Sequence, residues 1–135
     1  MTKIFVDTNI LVDLLADRKP FSKFAISIFS TAEKKKIKLY TSSHSIATAY
    51  YLLQKYADEK KLRTTLLNLQ DYLHVIAVDQ DIIKKALKSK HKDFEDAIQI
   101  YCAGSIEKMQ CIVTRNVRDF KHSEIPALSP EAFVK

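Results

Sequence analysis

One glycine, Gly104, three prolines, two cysteines and no tryptophan occur among the 135 residues. The scarcity of glycine excludes the phosphate-cradling loops GxGxxG and GxxxxGK[ST], each of which needs several glycines for close backbone approach to phosphate. Cys102 and Cys111 sit among apolar neighbours and form no CxxC, and His44, His74, His91 and His122 are scattered without an HExxH. A zinc centre is therefore not expected, and the cysteines read as reduced core thiols. No apolar run approaches the roughly 20 residues that a membrane helix requires. The opening Met-Thr-Lys-Ile leads straight into a strand pattern without a signal-peptide core, so a cytoplasmic protein with no membrane association is expected.

What is present is an ordinary globular balance, 47% hydrophobic and 28% charged, with a formal net charge of +6. This length suits a single domain spanning residues 1–135, with no linker visible. The excess of lysine and arginine favours a polyanionic partner such as RNA, because cations that displace counterions from phosphates drive binding.

Residues Lys3–Val6 read as a short buried strand, followed by a helix over Thr8–Ala16 with Ile10, Leu11, Leu14 and Leu15 inward. After Pro20, the residues Phe21, Phe24, Ala25, Ile28, Phe29 and Ala32 recur at helical steps. The segment "IKLYT" is strand-like, and "SIATAYYLLQKY" is apolar almost all round, which predicts a helix buried on several sides with Tyr50 and Tyr51 in the core. Leu62, Leu66, Leu69 and Leu73 mark a further helix. Strands are predicted at Val75–Val78, Cys111–Thr114 and around Ile125–Leu128, with helical patterns between them. Continuous apolar strands alternating with helices predict an α/β fold: a three-layer α/β/α sandwich around a parallel sheet of four to five strands.

In such a sheet, ligands bind outside the carboxyl ends of the strands. Asp7 stands at the first of these ends, Thr41-Ser42-Ser43 at the second, Asp79 at the third, and Thr114-Arg115-Asn116 followed by Asp119 at the fourth. Asp93 and Asp96 share one side of the start of the helix that feeds the fourth strand. Oxygen donors converging without histidine or thiolate suit a hard cation, Mg²⁺ or Mn²⁺, as in phosphodiester hydrolysis. Taken singly, Asp7, Asp79 and Asp93 also suit helix capping and Asp119 a turn. Asp13, Asp17 and Glu95 read as exposed helix residues. Arg115, Arg118 and Lys121 flank the acids and suit either substrate phosphates or charge balance.

The segments "IFVDTNILVDLL", "KDFEDAIQIYCA" and "IVTRNVRDF", in this order over nearly the whole chain, resemble the PIN domain family. That family comprises small α/β metal-dependent ribonucleases, many of them VapC-like toxins of toxin-antitoxin pairs. The resemblance implies an Mg²⁺- or Mn²⁺-dependent endoribonuclease in which Asp7, Asp96 and Asp119 are metal ligands and Asp93 is a further catalytic carboxylate. Asn9, Thr48, Thr114 and Asn116 would support the site, and Arg115, Arg118 and Lys121 would bind RNA. It further implies an antitoxin partner and a homodimer. One position departs from the pattern: Thr48 stands where the family usually has a glutamate. The alternative it raises is a PIN-fold RNA-binding module with weak or no catalysis.

Overall fold

The computed structural model describes all 135 residues. Five strands, β1 (Thr2–Val6), β2 (Ile37–Ser42), β3 (Leu73–Ile76), β4 (Met109–Val113) and β5 (Ala127–Leu128), form one sheet in the order β3-β2-β1-β4-β5. Every neighbouring pair is parallel. The intervening helices are α1 (Thr8–Leu15), α2 (Ser22–Glu33), α3 (Ser43–Leu53), α4 (Glu59–Leu69), α5 (Gln80–Lys88) and α6 (Phe94–Gly104), with α7 (Pro130–Val134) closing the chain. A single 3-10 turn, Val117–Phe120, follows β4.

Side chains of a strand alternate between the two faces of a sheet, and both faces are apolar here. Ile4 and Val6 of β1 point to one face with Leu39, Leu73, Cys111 and Val113, where α1 to α4 pack. Phe133 and Val134 of α7 pack against the same face. Phe5, Tyr40 and Ile112 point to the other, beneath α5, α6 and Phe120 of the 3-10 turn. This is the expected three-layer α/β/α sandwich, with the sheet at the upper end of the expected strand number. Burial pushes the thiols of Cys102 and Cys111 up to about 12 and about 11.

The third strand and α3 differ from expectation. The third strand lies at Leu73–Ile76 instead of Val75–Val78. It is an edge strand, paired only with β2, so it is not obliged to bury both faces and its apolar run does not mark its limits. The α3 helix is also less enclosed than its composition predicts, for Tyr51 and Leu52 lie on its exposed side.

The strand order places the site. The chain moves outward from β1 to β2 and β3, then returns across the other face to enter β4 on the opposite side of β1. The connections leaving β1 and β4 thus diverge to opposite sides, opening a crevice at their carboxyl ends.

Candidate metal centre at the β1–β4 crevice

Asp7 is the first residue beyond β1, and Thr114 the first beyond β4. The backbone N–H of Asp7 donates to Val113 O at 3.0 Å, so the ladder itself sets the start of the site. The Asp7 side chain is only 6% exposed. Its Oδ1 accepts from the Thr8 backbone N–H at 2.8 Å and from Gln99 Nε2 at 2.9 Å. Its Oδ2 accepts from Thr114 Oγ1 at 2.9 Å and from Asn9 Nδ2 at 3.4 Å. Four donors thus hold one carboxylate, which makes its burial tolerable. Asp7 serves as the cap of α1 and as a wall of the site at once.

A cavity of about 250 Å³ opens beside it, with Asp7, Asn9, Thr48, Asp96 and Asn116 in its wall. Asp96 stands in the first turn of α6, a helix capped by Asp93, whose Oδ1 accepts the Asp96 backbone N–H at 3.0 Å. Thr114 relays between strand and turn: its hydroxyl donates to Asp7 and accepts the Asn116 N–H at 3.0 Å. The Asn116 carbonyl in turn accepts the Asp119 N–H at 2.9 Å, which opens the 3-10 turn. Arg118, Asp119 and Lys121 are exposed along this turn.

Electrostatics distinguishes the cavity from the rest of the surface. The Asp96 carboxyl is pushed up from 3.8 to about 7, first by burial and then by the negative charges of Asp93, Asp7, Asp119 and Glu95. None of the five ion pairs in the molecule involves Asp7, Asp93, Asp96 or Asp119. A larger groove of about 460 Å³ between α5, α6 and residues 122–125 has acids as well. There, however, Asp79 caps α5 and Asp81 pairs with Lys85 at 3.1 Å.

The donors around the cavity are hard oxygens, with His44 the one ring nitrogen, and a cation is the component that would relieve the repulsion at Asp96. Such a set fits Mg²⁺ or Mn²⁺, which binds through one or two carboxylates and retains water. It does not make a closed cage. No three histidine, cysteine, aspartate or glutamate side chains come close enough to share one ion. The three acids expected around a single cation, Asp7, Asp96 and Asp119, do not all stand in the cavity wall. Asp7 and Asp96 line the cavity, whereas Asp119 and Asp93 reach it through their charge.

Two further expectations change. Asp13 is not an exposed helix residue but is 1% exposed, and Arg115 grips it with Nε at 2.7 Å and Nη2 at 3.1 Å. The Arg115 guanidinium also lies 4.2 Å from the centre of the Phe21 ring. Arg115 is therefore engaged in charge balance and stacking, with its backbone N–H bonded to Asn9 Oδ1 at 3.3 Å. Thr48 lines the cavity, its hydroxyl 3.5 Å from His44 Nε2, while His44 lies 3.6 Å from Glu95. Gln99 and Thr8, to which the motifs assign no separate role, also line the cavity, with Ser45 bonded to both behind it. A lone glutamine within the apolar run "AIQIYCA" is the signal that marks the first of them.

An all-parallel sheet with Asp7 and Asp96, neither in an ion pair, in one cavity at its β1–β4 switch point defines a class of small α/β proteins with an acidic site at that place. The chain belongs to the PIN domain family, whose model matches residues 3–118. It is 30% identical over 137 residues to Ribonuclease VapC1 of Aquifex aeolicus (strain VF5), covering 97% of this chain and 92% of the relative. Its fold is similar to a chain of the toxin-antitoxin complex from Klebsiella pneumoniae, with TM-score 0.67, 24% identity, and 94% and 97% of the two chains covered. It is similar also to a chain of VapBC2 from Rickettsia felis bound to a promoter DNA fragment, with TM-score 0.68, 16% identity, and 95% and 98% covered. No helix is long and apolar enough to cross a membrane.

Proposed function

We propose that this protein is a divalent-cation-dependent endoribonuclease and the toxin of a toxin-antitoxin pair, acting on RNA in the cytoplasm. The observation that carries it is the half-buried Asp96 carboxyl, raised to about 7 by burial and then by four neighbouring acids, and paired with no lysine or arginine. The 30% identity to a protein named a ribonuclease supports the choice of substrate.

Asp7 and Asp96 are the groups that would hold Mg²⁺ or Mn²⁺ directly, with Asp119 and Asp93 adding negative charge from the rim. The bound cation would supply neutralisation of the scissile phosphate and acidify a water for in-line attack. The chain's own residues do the rest. Asn9, Thr114 and Gln99 orient the Asp7 carboxylate, and Asn116 ties the 3-10 turn to it. Arg118 and Lys121, exposed on that turn, hold flanking phosphates of the strand. The products are 5′-phosphate and 3′-hydroxyl ends. The toxin-antitoxin complexes among the fold neighbours support an antitoxin that covers the acidic rim, and a homodimer is proposed with it on the family likeness.

A second reading is favoured by Thr48, which lines the cavity with a neutral hydroxyl: a module that binds RNA and cleaves it weakly or not at all. The deciding experiment incubates purified protein with end-labelled RNA across a Mn²⁺ series. Fragments that depend on Mn²⁺ and vanish in Asp7→Asn are expected. Cleavage by Asp7→Asn at the wild-type rate contradicts the nuclease assignment, and RNA binding without Mn²⁺-dependent fragments selects the second reading.

A further inference from the structure

Gln99 lies three residues after Asp96 on α6, turned inward and 2% exposed. A buried primary amide is tolerated only when its donors and acceptor are all met. Here they are. The two protons on Nε2 face Asp7 Oδ1 at 2.9 Å and Ser45 Oγ at 2.6 Å, with Thr8 Oγ1 at 3.4 Å. Oε1 accepts from Ser42 Oγ at 2.5 Å. No buried side-chain polar atom in the molecule lacks a partner.

The sense of each bond follows from the chemistry of its ends. An ionised carboxylate only accepts, so the nitrogen side of the amide must face Asp7. Ser42 Oγ already accepts the Ser45 backbone N–H at 2.9 Å in capping α3, which frees its own proton for Gln99. Ser45 Oγ, having accepted from Gln99, shares a further hydrogen bond with Thr8 Oγ1 at 2.8 Å. One chain of hydrogen bonds therefore runs from the end of β2, through α6, to the carboxylate at the end of β1.

Stability alone does not call for this arrangement, since an apolar side chain of similar volume can fill such a site at little or no cost when its polar partners also change. What the amide adds is direction. Helix α6 carries both Asp96 in the cavity wall and the donor that orients Asp7 across from it. We propose that Gln99 is a positioning residue that fixes the Asp7 carboxylate for binding a divalent cation, an inference that rests on the proposed cation-dependent function.

The test is a calorimetric titration of Mn²⁺ into wild type and Gln99→Met, run beside metal-free thermal unfolding and RNA cleavage over a Mn²⁺ series. Loss of a partner that orients a ligand lowers metal affinity about tenfold or more. The expected result is that loss in Gln99→Met, an equal rise in half-saturating Mn²⁺ for cleavage, and an unchanged KM for RNA. A purely structural role would lower the melting temperature and leave Mn²⁺ affinity as in wild type; that result overturns the proposal. Should Gln99→Met not fold, Ser42→Ala, which removes the hydroxyl anchoring Oε1, takes its place: weakened Mn²⁺ binding supports the proposal and unchanged binding overturns it. Wild type that binds Mn²⁺ without cleaving RNA contradicts the nuclease function, while calorimetry still decides on Gln99. Wild type that binds no Mn²⁺ overturns both.

Discussion

Asp13 and Asp96 are the same residue type on helices that lie on either side of one sheet, and the protein treats them in opposite ways. Asp13 is sealed from water and met by Arg115 in a two-pronged grip, with Arg18 at 4.0 Å as a second cation. Asp96 is half-buried, surrounded by four acids, and met by no cation of the chain. A buried charge that is fully paired works as a structural joint, here tying the loop after β4 to α1. A carboxylate left in the company of its own sign stores repulsion that a proton or an added cation relieves. The difference separates an acid that the chain itself pairs from one that it leaves unpaired, without reference to any relative.

Breaking the structural side of the contrast should have the largest effect. Arg115→Ala leaves Asp13 buried beside one distant arginine, and urea unfolding should report a loss of about 3 kcal/mol, the low end for a severed buried pair because Arg18 remains nearby. Replacing both partners, Asp13→Leu with Arg115→Met, should restore most of that loss. An equal loss in the double variant would mean that the pair's geometry, and not its stranded charge, matters.

The opposite sign is expected at Asp96. Its carboxyl titrates near 7 in the folded chain against 3.8 without the fold, so between these values the folded state holds more protons than the unfolded. The stability this contributes is complete below about 4 and is lost as pH rises through about 7. Asp96→Asn, neutral at every pH, should therefore be more stable than wild type at pH 8 in chelator, with the difference shrinking towards pH 4. The gain should be smaller than the Arg115 loss, because solvent screens a half-exposed group. A difference independent of pH would contradict the electrostatic origin.

Sharpening the binding side should give the next effect. Thr48→Glu adds a carboxylate to the cavity wall and should tighten Mn²⁺ binding about tenfold by calorimetry. The smallest effect belongs to the exposed cations: Arg118→Ala or Lys121→Ala should each reduce the salt slope of RNA affinity by about 0.7, while Mn²⁺ affinity stays unchanged.

The binding side of this contrast is more legible in sequence than the structural side. Asp7, Asp96 and Asp119 stand at strand ends or helix starts, where a carboxylate interrupts an apolar pattern, so each is visible locally. The Asp13–Arg115 pair spans 102 residues along the chain and depends on how α1 meets the loop after β4, which no local pattern encodes. The partners of Gln99 stay hidden for the same reason, since Asp7, Ser42 and Ser45 lie on three other segments. The layered α/β fold follows from alternating apolar strands and helices, whereas the limits of β3 do not, because an edge strand need bury only one face.

The titration of Asp96, followed by NMR of its side-chain carboxyl carbon with and without Mg²⁺, bears most directly on the uncompensated cavity. In chelator the carboxyl should titrate near about 7, and saturating Mg²⁺ should bring it below about 5, as a cation favours the ionised form. An ordinary carboxylate titration near 4 in chelator, unmoved by Mg²⁺, would contradict the cavity as a cation site.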